Sequence, residues 1–187
     1  MIVDHFFKDF DAVRTWADDA IYVDVKSPQD GVVYPNICAM LPDWVAAQAL
    51  DRLQELVGFE PQDVVMFCRL SPKGCHAPHG AHTDTVMGDW SLMVYLNRAS
   101  DCQGGTELVK HVETGLDRNP TTEAEYATWV ADNNVADRWA PVLSCEMAPN
   151  RAFIFPAHLM HRAAPVGGFG SDTRDGRLVL TAFFKAP

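Results

Sequence analysis

The sequence predicts a mainly β fold, a sandwich or barrel of short strands with helices packed against it. Three observations carry this expectation. From Asp63 onward, apolar residues recur with a period of two in short runs separated by Pro, Gly and Asn. The first quarter keeps a helical period instead, in two stretches. The chain has 187 residues, 48% of them hydrophobic and 21% charged, which makes one domain the natural reading. A chain of that size can bury about 70% of the surface it exposes when unfolded.

Taken in order, Phe6, Phe10, Val13 and Ala17 recur at helix spacing. Ile21 to Val25 and Val32 to Ile37 read as short strands or extended loop, punctuated by Pro28 and Pro35. Pro42 then opens a second helix, in which Ala46, Ala49, Leu50, Leu53, Leu56 and Val57 hold the period until Gly58 stops it. The β-rich runs follow: Asp63 to Leu70, Trp90 to Leu96, Thr106 to Val109, Leu143 to Met147, Ala152 to Phe155 and Arg177 to Phe184. A helical insert near 121–139 interrupts them, because Thr122 and Glu125 form a capping-box pattern ahead of Tyr126, Trp129 and Val130. The sequence has no repeat, low-complexity tract or linker, so these elements are expected to share one core. Residues 1–62 would buttress it with helices, and residues 63–187 would form the β core carrying the insert.

Composition narrows the function classes. With 25 acidic and 15 basic residues the formal charge is −10, which works against neutralising a phosphate backbone and disfavours nucleic acid as a partner. No run approaches the roughly 20 apolar residues that span a bilayer. Met1-Ile2-Val3-Asp4-His5 lacks the basic flank and apolar core of a signal peptide, so the expectation is a cytoplasmic protein away from membranes. The five cysteines, Cys38, Cys68, Cys75, Cys102 and Cys145, contain no C-x-x-C pair and read as free, buried thiols.

The sharpest feature is His82-Thr83-Asp84. Residues two apart in extended chain point to one side, so His82 and Asp84 can present a ring nitrogen and a carboxylate oxygen to one point. His161, after the apolar run ending at Phe155, supplies a second imidazole. Two histidines and one carboxylate on one face leave three positions open, the ligand set of non-haem Fe(II) oxygenases. His158 is a rival for the third position, set aside because it lies in the turn after Pro156. Arg177 begins the last apolar strand and shares a face with Val179, Thr181 and Phe183, where its planar fork would need an anion, and a carboxylate fits it bidentately.

From about Phe67 to Phe184 the chain resembles the Fe(II)/2-oxoglutarate-dependent oxygenases, in their prolyl-hydroxylase-like branch. The motifs that carry the likeness are His82-Thr83-Asp84, Tyr95-Leu96-Asn97, Gly104-Gly105-Thr106-Glu107-Leu108, Phe155-Pro156 with His161 and Pro165-Val166, and Gly176-Arg177 with a closing aromatic strand, in the family's order. A narrower likeness is to a microbial group marked here by His111, Asn150-Arg151, His161-Arg162 and Phe169-Gly170. The resemblance implies a double-stranded β-helix (jelly-roll, cupin-like) core. It also implies Fe(II) held by His82, Asp84 and His161, and 2-oxoglutarate held by Arg177 and Tyr95, with Thr181 beside the distal carboxylate.

The same resemblance implies a dioxygenase that uses O2, yields succinate and CO2, takes ascorbate as a reductant, and hydroxylates a C–H bond of a peptide, amino acid or small metabolite. Asp84 favours hydroxylation, since family members that halogenate carry a small residue there. The spacing from His161 to Arg177 is longer than usual for the family and contains Gly167-Gly168-Phe169-Gly170, which makes Arg174 a rival of Arg177. Arg177 is preferred because Arg174 sits in a polar turn. His76, His79 and His111 flank the motifs, Arg69, Lys73, Lys110 and Arg162 are candidates for a basic rim, and Tyr34-Pro35-Asn36 for a substrate lip. Two rival readings stand beside the oxygenase: an inactive module that binds metal and 2-oxoglutarate, and a cupin-type hydrolase or isomerase, which would leave Arg177 and Tyr95 without a role.

Overall fold

The structure is a computed structural model that describes residues 1–28 and 31–187. Ten strands and three α-helices follow one another as β1 (Ile2–Val3), α1 (Phe10–Asp19), β2 (Val23–Lys26), β3 (Val33–Cys38), α2 (Asp43–Val57), β4 (Gln62–Ser71), β5 (Trp90–Tyr95), β6 (Gly105–His111), α3 (Glu123–Asp132), β7 (Trp139–Glu146), β8 (Ala152–Pro156), β9 (His161–Ala164) and β10 (Arg177–Lys185). They form a seven-stranded sheet in the order β1-β8-β5-β10-β4-β3-β2 and a three-stranded sheet in the order β7-β6-β9. The pairings are antiparallel throughout. An isolated bridge, His82↔His161, continues the smaller sheet at the free edge of β9. The result is a jelly-roll, mainly β with flanking helices.

Local chemistry sets the helix ends. The Asp9 side chain accepts from the Ala12 amide at the start of α1, and α2 ends at Gly58 in the left-handed conformation, whose amide donates to the Gln54 carbonyl. α3 begins with a complete capping box between Thr122 and Glu125. It is shorter than the sequence suggests: the chain leaves it at Asp132, and Trp139 opens β7 rather than closing a helix. Capping chemistry located its start, while its end is set by tertiary contacts of Asn133 and Asn134 described below.

Strand alternation divides the large sheet into two faces. Cys68, Leu70, Leu92, Val94, Ile154, Leu178, Leu180 and Phe184 pack on Val13 and Ala17 of α1 and on Val45, Ala49 and Leu53 of α2. Tyr95, Phe153, Phe155 and Val179 face the other way and meet Cys145, Met147 and Phe169 between the sheets. Residues 1–62 are therefore not purely helical, because β1, β2 and β3 also extend both edges of the large sheet. β1 and β9 escape the period-two reading, since strands of two and four residues are too short to show a period. No helix among the described residues is long and apolar enough to cross a membrane. The five cysteines are free thiols.

Candidate active site

His82 and Asp84 lie in the extended segment after β4, and His161 is the first residue of β9. Reciprocal backbone hydrogen bonds, His82 N to His161 O at 3.0 Å and His161 N to His82 O at 2.9 Å, lock the two segments in register. The Asp84 amide donates to the Ala157 carbonyl at 2.8 Å, which fixes the third residue. One donor atom from each of the three side chains then lies within 4.8 Å of the others. His161 Nε2 is 3.1 Å from Asp84 Oδ2, and His82 Nε2 is 3.6 Å from Asp84 Oδ1. Bonds of about 2 Å to a common ion hold neighbouring ligand atoms about 3 Å apart, so this spacing fits a metal.

The orientation of the rings supplies the chemical argument. His82 Nδ1 lies 3.1 Å from the Gly80 carbonyl and His161 Nδ1 lies 3.0 Å from the Leu159 carbonyl. A carbonyl only accepts, so each Nδ1 carries the hydrogen, and each ring when neutral turns the Nε2 lone pair inward. His161 Nε2 is buried, and its polar neighbour is Asp84 Oδ2 at 3.1 Å, in a geometry that leaves it without a well-formed hydrogen bond. A buried polar atom left in that state calls for a ligand. The donor set and this nitrogen both fit a divalent cation such as Fe(II).

The electrostatics hold Asp84 charged and His82 neutral, and they draw a proton toward the His161–Asp84 pair that a bound cation would displace. Burial raises the Asp84 carboxyl, but the two imidazoles and the Ser91 hydroxyl outweigh burial and hold it down at about 2. Ser91 Oγ donates to Asp84 Oδ2 at 2.8 Å. Burial, then the neighbouring His161, pushes the His82 imidazole down to about 4, which keeps that ring a neutral ligand. Burial also lowers His161, but the facing Asp84 carboxylate wins and leaves it raised.

A cavity of about 320 Å³ adjoins the triad, lined by Arg69, Ser71, His76, His82, Trp139 and Arg177 among others. Its size is at the lower end of those that take small-molecule ligands. Arg177 is 6% exposed, and its guanidinium donates to the Gly105 carbonyl at 3.3 Å, while its Nε is buried without a partner. Two glycines here let β6 pack closely on the backbones of its neighbours β7 and β9. A Cβ on Gly105 would stand 2.0 Å from the Cys145 carbonyl oxygen, and one on Gly104, at φ +60°, would stand 2.2 Å from the Ala164 oxygen. Arg174 is exposed and lies outside this lining.

Tyr95 and Thr181 face the interior of the barrel but stand behind the cavity wall. The Tyr95 hydroxyl donates to the Cys145 carbonyl at 3.0 Å, and Thr181 Oγ1 donates to Met93 Sδ at 3.4 Å. His158 is exposed, His79 lies tilted against Trp129, and His111 is buried between Thr114 Oγ1 and Asp132 Oδ2, each 3.0 Å away. Only His76 among these borders the cavity. Of the basic candidates, Arg162 is held by Glu107 at 2.8 Å, Lys73 and Lys110 are exposed, and Arg69 lines the cavity. Within the lip candidate Tyr34-Pro35-Asn36, Asn36 reaches the cavity-lining Cys75, with Nδ2 3.6 Å from Sγ.

Three contributors had no role assigned from the sequence, although Asn97 belongs to the motif Tyr95-Leu96-Asn97. Ser91 was detectable as a polar residue on the inward parity of an apolar strand. Asn97 is fully buried and braces the start of β10: its Nδ2 donates to the Gly176 carbonyl at 2.8 Å and its Oδ1 accepts from the Leu178 amide at 2.9 Å. The end of α3 is the third, and only the tertiary structure reveals it. Asn133 O accepts from the Ala81 amide at 2.7 Å, Asn134 Oδ1 accepts from the Gly80 amide at 2.7 Å, and Trp129 Nε1 donates to the Ala81 carbonyl at 2.8 Å. The helical insert thus clamps the two residues that precede His82.

The architecture is similar to that of several solved proteins. A prolyl-4-hydroxylase of Pseudomonas putida matches 100% of this chain and 92% of its own, with a TM-score of 0.58 and 16% identity. EvdO2 of Micromonospora carbonacea, complexed with 2-oxoglutarate, matches 100% of this chain and 86% of its own, with a TM-score of 0.52 and 17% identity. EctD of S. alaskensis, with 2-oxoglutarate and 5-hydroxyectoine, matches 97% of this chain and 70% of its own, with a TM-score of 0.51 and 14% identity. At such identities the likeness is one of fold. No curated protein matches the sequence. The sequence does match a family of unknown function, DUF6445, from residue 1 to residue 184, and the chain belongs to that family.

Proposed function

We propose that this protein is an Fe(II)- and 2-oxoglutarate-dependent oxygenase that hydroxylates a C–H bond of an amino acid, a small metabolite or a peptide. The observation that carries the reading is the convergence of His82, Asp84 and His161, with both Nδ1 atoms tied to backbone carbonyls and the buried His161 Nε2 left without a well-formed hydrogen bond. When bound, Fe(II) and 2-oxoglutarate supply the oxidising power, with O2 consumed and succinate and CO2 released. His82, Asp84 and His161 would hold the metal on one face and leave the opposite face open. Arg177, buried with free donors at the cavity, would hold the far carboxylate of the dicarboxylic acid. Tyr95, on the same inward face and with its hydroxyl held by the Cys145 carbonyl, would back the carboxylate end of the site. Ser91 would hold Asp84 in its ligating rotamer.

The arginine is what favours this reading over a cupin-type hydrolase, which has no need for a buried cation beside its metal. Purified protein given Fe(II) and 2-oxoglutarate without oxygen is expected to develop the weak visible absorption of the chelated keto acid, and succinate when air is admitted. His161→Ala is expected to do neither. Equal succinate formation by the wild type and His161→Ala, or none by either, would refute the proposal.

A further inference from the structure

The cavity is lined by a second arginine, the half-buried Arg69, that the scheme above leaves without a task. β4 and β10 pair so that Arg177 stands opposite Ser71 and Val179 stands opposite Arg69, while β5 sets Tyr95 opposite Val179 on the other side. Residues opposite one another point to the same face of a sheet, so Arg69, Arg177 and Tyr95 all face the space between the sheets. Arg69 and Arg177 occupy diagonal positions, whose backbones are typically about 7 to 8 Å apart. Both line the one cavity.

Neither guanidinium is fully satisfied by the protein, since Arg177 has only the Gly105 carbonyl. The Nε of Arg69 and the Nε of Arg177 are buried without hydrogen-bond partners. Among the described residues no carboxylate forms an ion pair with either, although Arg162, a third arginine of the lining, has Glu107. Burial pushes both guanidinium groups down from the usual arginine range, and Arg69 adds to the effect on Arg177. Arg69 feels the Asp84 carboxylate only at a distance, without an ion pair. Two cations in neighbouring rows of a barrel interior repel one another, and an oxyanion between them relieves the repulsion and the missing hydrogen bonds. An anion that reaches Arg69 is also within reach of Arg177, because the two side chains rise from adjoining rows of the same wall.

We infer that Arg69 is the second arm of the carboxylate grip, so that Arg69 and Arg177 together hold the distal carboxylate of the 2-oxo dicarboxylic acid. The inference rests on the oxygenase reading and adds to it a residue and a selectivity. With two cations facing one carboxylate, the cavity demands a 2-oxo acid with a charged far end, and Arg69 is part of what enforces that demand.

The test compares 2-oxoglutarate with 2-oxovalerate, which has the same carbon chain but lacks the distal carboxylate, by calorimetric titration into Mn(II)-loaded protein. Wild type is expected to prefer 2-oxoglutarate. Arg69→Met is expected to weaken 2-oxoglutarate by at least about tenfold, the usual worth of a hydrogen bond to a charged group, and to leave 2-oxovalerate within about twofold. Arg69→Lys is expected to restore part of the loss, which also guards against a Met variant that folds poorly. Unchanged 2-oxoglutarate affinity in both variants would overturn the inference while leaving the oxygenase reading in place. So would an equal loss of both acids, which would mean that Arg69 acts on the metal centre or on packing. A wild-type protein that binds neither acid would overturn the oxygenase reading, and the inference with it.

Discussion

Along β10, Leu178, Leu180, Ala182 and Phe184 point toward α1 and α2, whereas Arg177, Val179, Thr181 and Phe183 point into the space between the sheets. The strand is buried on both faces except for its last residue, Lys185, so burial does not distinguish the two sets. What distinguishes them is polar satisfaction. The helix-facing set is apolar and closes a continuous core with the helices. The inward set includes Arg177, whose buried Nε has no partner, and the facing strand adds Arg69 in the same condition. Unpaired polar atoms in an interior are costly unless something external binds them, so the inward face reads as a ligand site and the helix-facing one as a scaffold.

That division can be broken from either side. Leu180→Ala, on the helix-facing side, is expected to destabilise the fold by about 2 to 5 kcal/mol in denaturant unfolding. Mn(II) affinity of the folded variant should stay close to wild type; a large parallel loss would mean the faces are not independent. His161→Ala makes the converse case. It is expected to abolish Mn(II) binding in calorimetry while lowering the metal-free unfolding midpoint less than Leu180→Ala does. Ser91→Ala sharpens the comparison, because Ser91 touches the metal site only through Asp84. Loss of an outer hydrogen bond of this kind typically costs about 10- to 100-fold in metal affinity, and an unchanged affinity would show that Asp84 needs no such support.

Smaller effects are expected where α3 meets the ligand segment. Thr122→Ala removes the helix cap and should cost about 1 kcal/mol. It should also speed amide exchange at Gly80 and Ala81, whose amides are held by Asn134 and Asn133. Glu125 gives the mildest perturbation. Arg118 first, then the Thr121 amide, hold its carboxyl down at about 2 from an ordinary 4.5. A lowered acid contributes fully above its unfolded pKa, and the contribution is lost as pH falls through the folded value. Protection of the first turn of α3, taken relative to the intrinsic exchange rate at each pH, should therefore fall between about pH 4.5 and pH 2 in the wild type, and Glu125→Gln should flatten that dependence. A pH profile that is the same in both proteins would rule out this role.

Much of this arrangement was legible in the residues. Strand alternation placed Arg177, Thr181 and Tyr95 on the inward face, and the His82-x-Asp84 spacing set its two side chains on one side of the chain. What alternation does not report is depth. Tyr95 and Thr181 have the right parity, yet they stand behind the cavity wall with their hydroxyls engaged by Cys145 and Met93. The role of α3 was hidden for a different reason. Its capping box is a local signal, while its grip on Gly80 and Ala81 uses backbone and amide groups more than 45 residues away, as the Trp129 to Ala81 separation of 48 shows. Arg69 looked like a rim residue because basic side chains are usually exposed; its place in the barrel follows from the β4–β10 register.

The sequence by itself determined the class of fold, the existence of two helices that buttress a β core, and the residue types able to hold a metal and a carboxylate. Those features depend on periodicity, capping chemistry and ligand identity, which are properties of short stretches of chain. The tertiary structure alone decided that His82 and His161 meet across an isolated bridge, that their Nδ1 atoms are tied to carbonyls, and that Arg69 and Arg177 share one cavity without a carboxylate between them. Those facts depend on strand register between segments distant in sequence, where a shift of one residue would turn each side chain to the opposite face.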